Sequence, residues 1–271
     1  MSLQKKPIIG VLGSNGFLGS ALIRTLSKTN HIYIGLNRAI YPDIFDFNHF
    51  TDILKLNNVT HLINCIGFNG YEKCASNPVS AFKINTLYPN QLSFYCNLYG
   101  IRLIHISSEA IFQSNSNINS DRTAPLPTTL YGQTKLCGEV TGQLTSTIRL
   151  PMLTSRYPNN QIISKLLCLV KDNKPIKVSN DVFTTPVIVD DLAGRIIDFT
   201  LSTQFQSGIY HASSNVRLSF SEIVRIYADF FDIDTSNVED VSEDTFENIV
   251  QKPKLLGLLS SNKLLTVDFN P

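Results

Sequence analysis

The chain has 271 residues, 43% of them hydrophobic and 17% charged, and its 23 basic residues nearly match its 22 acidic ones. A net charge of +1 excludes the basic excess with which nucleic-acid binders usually attract a polyanion. No apolar run approaches the ~18 residues needed to cross a bilayer, and the scattered cysteines lack both CxxC pairing and the density of a disulfide scaffold. The expectation is a cytoplasmic protein with no membrane and no nucleic-acid partner, in which Cys65, Cys74, Cys96, Cys137 and Cys168 are reduced, small core residues.

Short runs rich in Ile and Val alternate with stretches of helical period, which predicts βαβ units and a parallel sheet. Strands are expected at residues 8–12, 31–36, 61–65, 102–107 and 146–150, with helices at 17–27, 48–56, 78–98 and from Leu130 onward. Residues 113–129 are polar, aperiodic and hold Pro125 and Pro127, so they read as a long loop, and long loops in compact domains are usually functional. Beyond Pro151 the alternation fades: helices at 161–171 and 189–201, strands at 176–178 and 208–212, and a capping box of Ser219 with Glu222 opening a helix at 221–231. The predicted fold is α/β, a Rossmann-type doubly wound parallel sheet over residues 1–150, with a small mixed C-terminal substrate lobe over 151–271 that returns some elements to the first domain.

Gly13-Ser14-Asn15-Gly16-Phe17-Leu18-Gly19 follows the first strand at once and opens the first helix. Such glycines permit a tight turn, close approach of a pyrophosphate and tight packing of helix on strand. The helix N-terminus adds unpaired N–H groups for the phosphates. The GxxGxxG spacing resembles that of the short-chain dehydrogenase/reductase superfamily. At the end of the second strand a carboxylate would hold an NAD ribose. Here Asn37-Arg38 stands instead, and a guanidinium suits a 2′-phosphate, so NADPH is favoured over NADH.

Tyr131 and Lys135 lie four residues apart in YGQTK, on one helix face. The preceding strand ends in Ser107-Ser108, which brings a hydroxyl to the carboxyl edge of the sheet, where open α/β sheets bind ligands. Ketone reduction by hydride transfer makes an alkoxide that needs a nearby acid. A phenol, of pKa about 10, serves better when an ammonium stabilises its anion. These residues predict Tyr131 as the acid, Lys135 as its tuner and Ser108 as the hydroxyl that orients the carbonyl.

The segments GSNGFLGSAL, HLINCIGF, AFKINT, RLIHISSEAIF and YGQTKLCGE, in this order, resemble the dTDP-4-dehydrorhamnose reductase family of extended short-chain reductases, and TTPVIVDDLA, GIYHAS and KPKLLGLLSSNKL extend the likeness over nearly the whole chain. The resemblance implies a nicotinamide cofactor held by Gly13, Asn15, Gly16, Phe17, Leu18, Gly19, Asn37, Arg38, Asp46, Phe47, Cys65, Ile66, Gly67, Asn85 and Lys135, with Asn64 beside it. It further implies a nucleotide-sugar substrate against Ser108, Glu109, Tyr131 and Lys252. The chain departs from the family where Ser107-Ser108-Glu109-Ala110-Ile111-Phe112-Gln113-Ser114 replaces Ser-Thr-Asp-Tyr-Val-Phe-Asp-Gly, where Leu150-Pro151-Met152 replaces an aromatic segment, and where Lys252-Pro253-Lys254 alters a basic-proline motif.

The expected activity is NAD(P)H-dependent reduction of a nucleotide-activated 4-keto-6-deoxyhexose. Two alternatives stay open: an epimerase or dehydratase with tightly held NAD⁺, or a non-catalytic regulatory subunit of the same fold. The histidines His31, His49, His61, His105 and His211 show no metal-ligand spacing, so no metal is expected. The acidic cluster Glu239-Asp240 with Glu243-Asp244 reads as a solvated face. Oligomeric state is not legible here, and a homodimer is one arrangement open to the chain.

Overall fold

The computed structural model describes residues 6–113, 118–157, 159, 161–246, 255, 257–260 and 262–271. In chain order it runs β1 (Ile8–Leu12), α1 (Phe17–Leu26), β2 (Ile32–Leu36), α2 (Phe47–Leu56), β3 (His61–Asn64), α3 (Tyr71–Ser76), α4 (Pro78–Phe82) and α5 (Tyr88–Leu98). Then follow β4 (Arg102–Ser108), α6 (Leu130–Cys137), β5 (Thr145–Leu150), β6 (Leu153–Thr154), α7 (Ile162–Lys171), β7 (Ile176–Ser179), β8 (Phe183–Thr184), β9 (Val187–Ile188) and α8 (Val189–Leu201). The chain closes with β10 (Gly208–His211), β11 (Ser213–Ser214), β12 (Leu218–Ser219), α9 (Phe220–Phe230), β13 (Val238–Val241) and β14 (Thr266–Val267).

Six strands form one parallel sheet in the order β10-β5-β4-β3-β1-β2, as the alternation of runs predicts. The order reverses between β1 and β3, which makes that edge the switch point where doubly wound sheets take ligands. One core lies between the sheet and α1 with α8, built from Ile9, Val11, Leu22, Ile104, Ile148, Leu192 and Ile196. The opposite face packs Leu36, Phe50, Leu62, Leu92 and Leu103 against α2 and α5. Both faces are covered, so the strands read as continuous apolar runs rather than alternating ones. A third core, with Ile163, Leu167, Val178, Ile223, Val224 and Tyr227, belongs to α7, β7 and α9.

Two expectations need correction and one gains detail. The stretch 78–98 is not one α-helix: a π-helical turn over Lys83–Leu87 separates α4 from α5. A π turn widens the hydrogen-bonded loop by one residue and so turns the side chains after it, a device frequent at functional sites. The acidic stretch contains strand β13, paired in parallel with β7, and Asp240 forms an ion pair with Arg225 at 2.8 Å, so Glu239-Asp240 is an edge strand as well as a solvated face. Of the five cysteines, all of them free thiols, only Cys74 and Cys96 are buried. Cys137 and Cys168 are exposed because each falls on the outward side of its helix, and Cys65 is half-buried.

Candidate active site

The glycine turn forms the floor of the site. Gly13 takes φ +73°, a conformation that favours glycine, and its N–H donates to the Leu36 carbonyl at 2.9 Å, tying the turn to the end of β2. A Cβ on Gly19 would collide with the Gly13 carbonyl oxygen. The third glycine therefore seats α1 directly on the turn. The N-cap of α1 is Gly16, which has no side chain to cap the first N–H groups. Those donors stay available to an anion.

Beside this turn a cavity of about 850 Å³ opens along the carboxyl ends of the strands. Gly13, Asn15, Gly16, Phe17, Leu18, Gly19, Asn37, Arg38, Cys65, Ile66, Gly67, Ser108, Tyr131 and Lys135 all line it. Segments from four strand ends and from α6 thus meet on one surface. Two predicted cofactor contacts are placed elsewhere. Asp46 caps α2, its carboxylate accepting from the His49 N–H at 3.0 Å, and Phe47 is buried against Tyr95 with ring centroids 4.6 Å apart. Lys252 lies outside the described residues.

Asn85 does not line the cavity; it shapes the wall from behind. It sits buried in the π turn, accepts from the Phe68 N–H at 2.8 Å, and donates to the Phe68 carbonyl at 2.9 Å and to the Thr134 hydroxyl at 3.1 Å. One amide thereby fixes the loop after β3 to helix α6. Asn64, also buried, accepts from the Ile66 N–H at 3.0 Å and donates to His105 Nδ1 at 3.0 Å.

Helix α6 starts at a Thr129 cap whose hydroxyl accepts from the Gly132 N–H at 3.1 Å. A Cβ on Gly132 would run into the Ala110 carbonyl, so the glycine of YGQTK lets α6 lie against the turn that follows β4. That close approach brings Tyr131 beside Ser108. Burial pushes the Tyr131 phenol above its usual range, and a hydrogen bond with Ser108 pulls the other way. The phenol hydroxyl also donates to Asn69 Oδ1 at 3.4 Å, a partner the sequence did not single out.

The expected tuning of Tyr131 by Lys135 does not appear in this geometry. Lys135 is only 3% exposed and its ammonium donates to the Ile106 carbonyl at 2.6 Å. Burial brings its pKa down to about 8, while Glu139 works in the opposite direction. Burial is the largest influence on both side chains, because desolvation penalises phenolate and ammonium alike. Glu109, beside Ser108, is 6% exposed and accepts from the Thr184 hydroxyl at 2.9 and 3.1 Å. Its pKa is raised to about 8 by burial, against hydrogen bonds from Thr184 and the Met152 backbone.

The residues present fit a dinucleotide. Besides the glycine cradle, the Ser107 hydroxyl lines the cavity, is 4% exposed as a residue and has no hydrogen-bond partner. A buried orphan hydroxyl in a cavity wall is a group left for a ligand. Reading the strand end as Ser108 alone missed it, although the pair Ser107-Ser108 was visible in the sequence.

A glycine turn at the switch point of a parallel doubly wound sheet, facing a Ser, Tyr and Lys set, defines a Rossmann-type nicotinamide-binding class of fold. The profile of the family described as RmlD substrate binding domain matches residues 8–270, and the chain belongs to that family. Its relatives include a probable low-salt glycan biosynthesis reductase, Agl14, of Haloferax volcanii, 31% identical over 48% of this chain and 46% of its own length, so the chain spans about half of that relative. A dTDP-4-keto-6-deoxy-D-glucose reductase of Streptomyces niveus is 24% identical over 90% of this chain and 85% of its own length. The β subunit of methionine adenosyltransferase 2 from Xenopus tropicalis is 22% identical over 86% and 75%. Among solved structures, the dTDP-4-dehydrorhamnose reductase of Bacillus anthracis in complex with NADP shares the fold at a TM-score of 0.85, with 21% identity over 94% of this chain and 91% of that one. Among the described residues no helix is long and apolar enough to cross a membrane.

Proposed function

We propose that this protein is an NAD(P)H-dependent reductase of a nucleotide-activated 4-keto-6-deoxyhexose. The observation that carries the reading is the meeting of Ser108, Tyr131 and Lys135 with the glycine turn on one cavity. Gly13, Gly16 and Gly19 with the open first turn of α1 hold the pyrophosphate. Arg38 is exposed on the cavity rim beside Asn37, where it meets a 2′-phosphate bidentately, which favours NADPH. Ser107 and Lys135 hold the nicotinamide end.

A nicotinamide held there by Ser107 and Lys135 would provide hydride-transfer chemistry at the keto carbon. Ser108 donates a hydrogen bond to the keto oxygen and orients it between itself and Tyr131. Tyr131 gives its phenol proton to that oxygen as negative charge develops there. A phenol held high by burial is a willing acid only when its anion is stabilised at the moment of transfer. In this reading Lys135 does so, by releasing the Ile106 carbonyl and turning its ammonium toward the phenolate.

The test is direct. Purified protein incubated with NADPH and a panel of dTDP- and UDP-linked 4-keto-6-deoxy sugars should oxidise the cofactor. No oxidation across the panel overturns the reading. A second reading, a regulatory subunit that binds without catalysis, is favoured by one finding, the likeness to the methionine adenosyltransferase β subunit over most of both chains. It predicts a stable stoichiometric partner together with dead reductase assays.

A further inference from the structure

A second cavity of about 350 Å³ lies beyond the end of β4, lined by Tyr71, Glu109, Phe183, Thr184 and Phe220 among others. The two cavities adjoin: Met152 and Ile162 line both, and consecutive residues part between them. Ser108 faces the first and Glu109 the second. Across the gap, Asn69 faces the first and Tyr71 the second. The ring of Tyr71 meets that of Tyr131 edge to face, with centroids 5.7 Å apart and planes at 83°. A molecule with its carbonyl against Tyr131 and its body in the second cavity must pass the Tyr71 ring.

The position of Tyr71 is prepared before any ligand arrives. Asn85 grips both backbone groups of Phe68, the Cys74 thiol donates to the same carbonyl at 3.2 Å, and Gly70 turns the chain at φ +107° into α3. We infer that Tyr71 is a specificity-determining residue of the proposed reductase: its ring packs on the sugar that bears the keto group, and its hydroxyl donates a hydrogen bond to a sugar oxygen. The inference rests on the reductase reading for the identity of the sugar. The chemistry of the hydroxyl supports it. Burial, then Glu109, Tyr131 and Glu243 as acidic neighbours, keep the Tyr71 phenol protonated and therefore a donor. An edge of apolar ring beside a single fixed donor suits a pyranose, which offers C–H faces and oxygens at set positions.

The experiment compares wild type, Tyr71→Phe and Tyr71→Ala. The Kd of NADPH is measured by fluorescence, that of dTDP-rhamnose in the presence of NADP⁺ by calorimetry, and KM and kcat with dTDP-4-keto-6-deoxy-glucose. Tyr71→Phe should raise the sugar-nucleotide Kd and KM roughly 5-fold, the effect of one lost neutral hydrogen bond. Tyr71→Ala should raise them more than 10-fold, with NADPH binding unchanged because Tyr71 does not line the cofactor cavity. Discrimination between two 4-keto sugars that differ at one hydroxyl should narrow in both variants. Variants within 2-fold of wild type on every sugar measurement overturn the inference. A wild type that binds dTDP-rhamnose but oxidises no NADPH defeats the reductase reading alone, and the calorimetric arm still decides for or against Tyr71. A wild type that binds no sugar nucleotide defeats both.

Discussion

The ammonium of Lys135 donates to the carbonyl of Ile106 at 2.6 Å, and among the described residues no carboxylate lies within ion-pair distance of it. A buried cation without an ion-pair partner weakens the fold that holds it. Its pKa, about 8 when folded against 10.5 as the reference, means that the penalty is fully present below pH 8 and gone above 10.5. Lys135→Met should therefore raise the unfolding free energy at pH 7 by about 2 kcal/mol, after allowance for the lost hydrogen bond, and at pH 10.5, where only that loss remains, lower it by about 1 kcal/mol. Urea titrations at the two pH values check this, and a variant less stable than wild type at pH 7 contradicts it.

Glu109 has the opposite sign. Its folded pKa of about 8 lies above the reference 4.5, so its stabilising share is whole below pH 4.5 and is lost as pH rises through 8. Glu109→Gln keeps a neutral side chain at every pH. Wild type should lose stability relative to this variant between about pH 4.5 and 8 and hold a constant deficit above that, read as a gap in Tm that widens and then levels off. Parallel curves would place the carboxyl in a more polar setting than the one described.

Tyr131→Phe removes the proton donor and leaves the ring. Turnover should fall at least ~10³-fold, within the range general acids contribute, while the Kd of NADPH stays within about 2-fold. Stopped-flow and fluorescence measurements separate the two effects. Retained turnover would assign the proton to another group.

Arg38→Ala should raise the KM for NADPH roughly 10- to 100-fold and leave that for NADH nearly unchanged, since only the phosphorylated cofactor offers a bidentate partner. Equal effects on both cofactors would place Arg38 in solvent rather than on the ribose.

Arg149 and Glu139 form an ion pair at 2.8 Å with side chains only 5% and 3% exposed. His211 gives the guanidinium no charge partner, for burial lowers its pKa to about 4, with Arg149 adding to the effect. Removing one member strands the other. Glu139→Ala should cost about 3 to 5 kcal/mol in chemical denaturation, and the double change with Arg149→Met should recover much of it. A double variant as unstable as the single one would show that the pair stabilises beyond its mutual charge.

Much of this was legible in the chain. Strand, glycine turn and helix were readable because each is written in local spacing, and YGQTK because its tyrosine, glycine and lysine lie within one helical turn of each other. Partners remote in sequence were not. Thr184 on Glu109 joins residues 75 apart, and Asn85 on Phe68 joins residues 17 apart through a π turn that no hydrophobic period announces. The cap that Asp46 gives α2 and the stacking of Phe47 on Tyr95 were hidden for the same reason, since loop composition does not announce the packing of α2. The burial that dominates both Tyr131 and Lys135 was likewise hidden, because spacing shows neighbours and not desolvation.

Strand β10 lies at one edge of the six-stranded sheet, paired with β5 through Gly208–His211, although more than fifty residues of the smaller lobe intervene. Until those residues have been made, β5 is an open edge that carries Thr145, Ser146, Thr147 and Arg149, all buried in the finished protein. A nascent or truncated chain ending near residue 150 would expose that row of unpaired backbone groups to any neighbouring strand. Pairing with β10 covers that row in the finished sheet, and engineered versions that trim or swap the C-terminal part should keep β10.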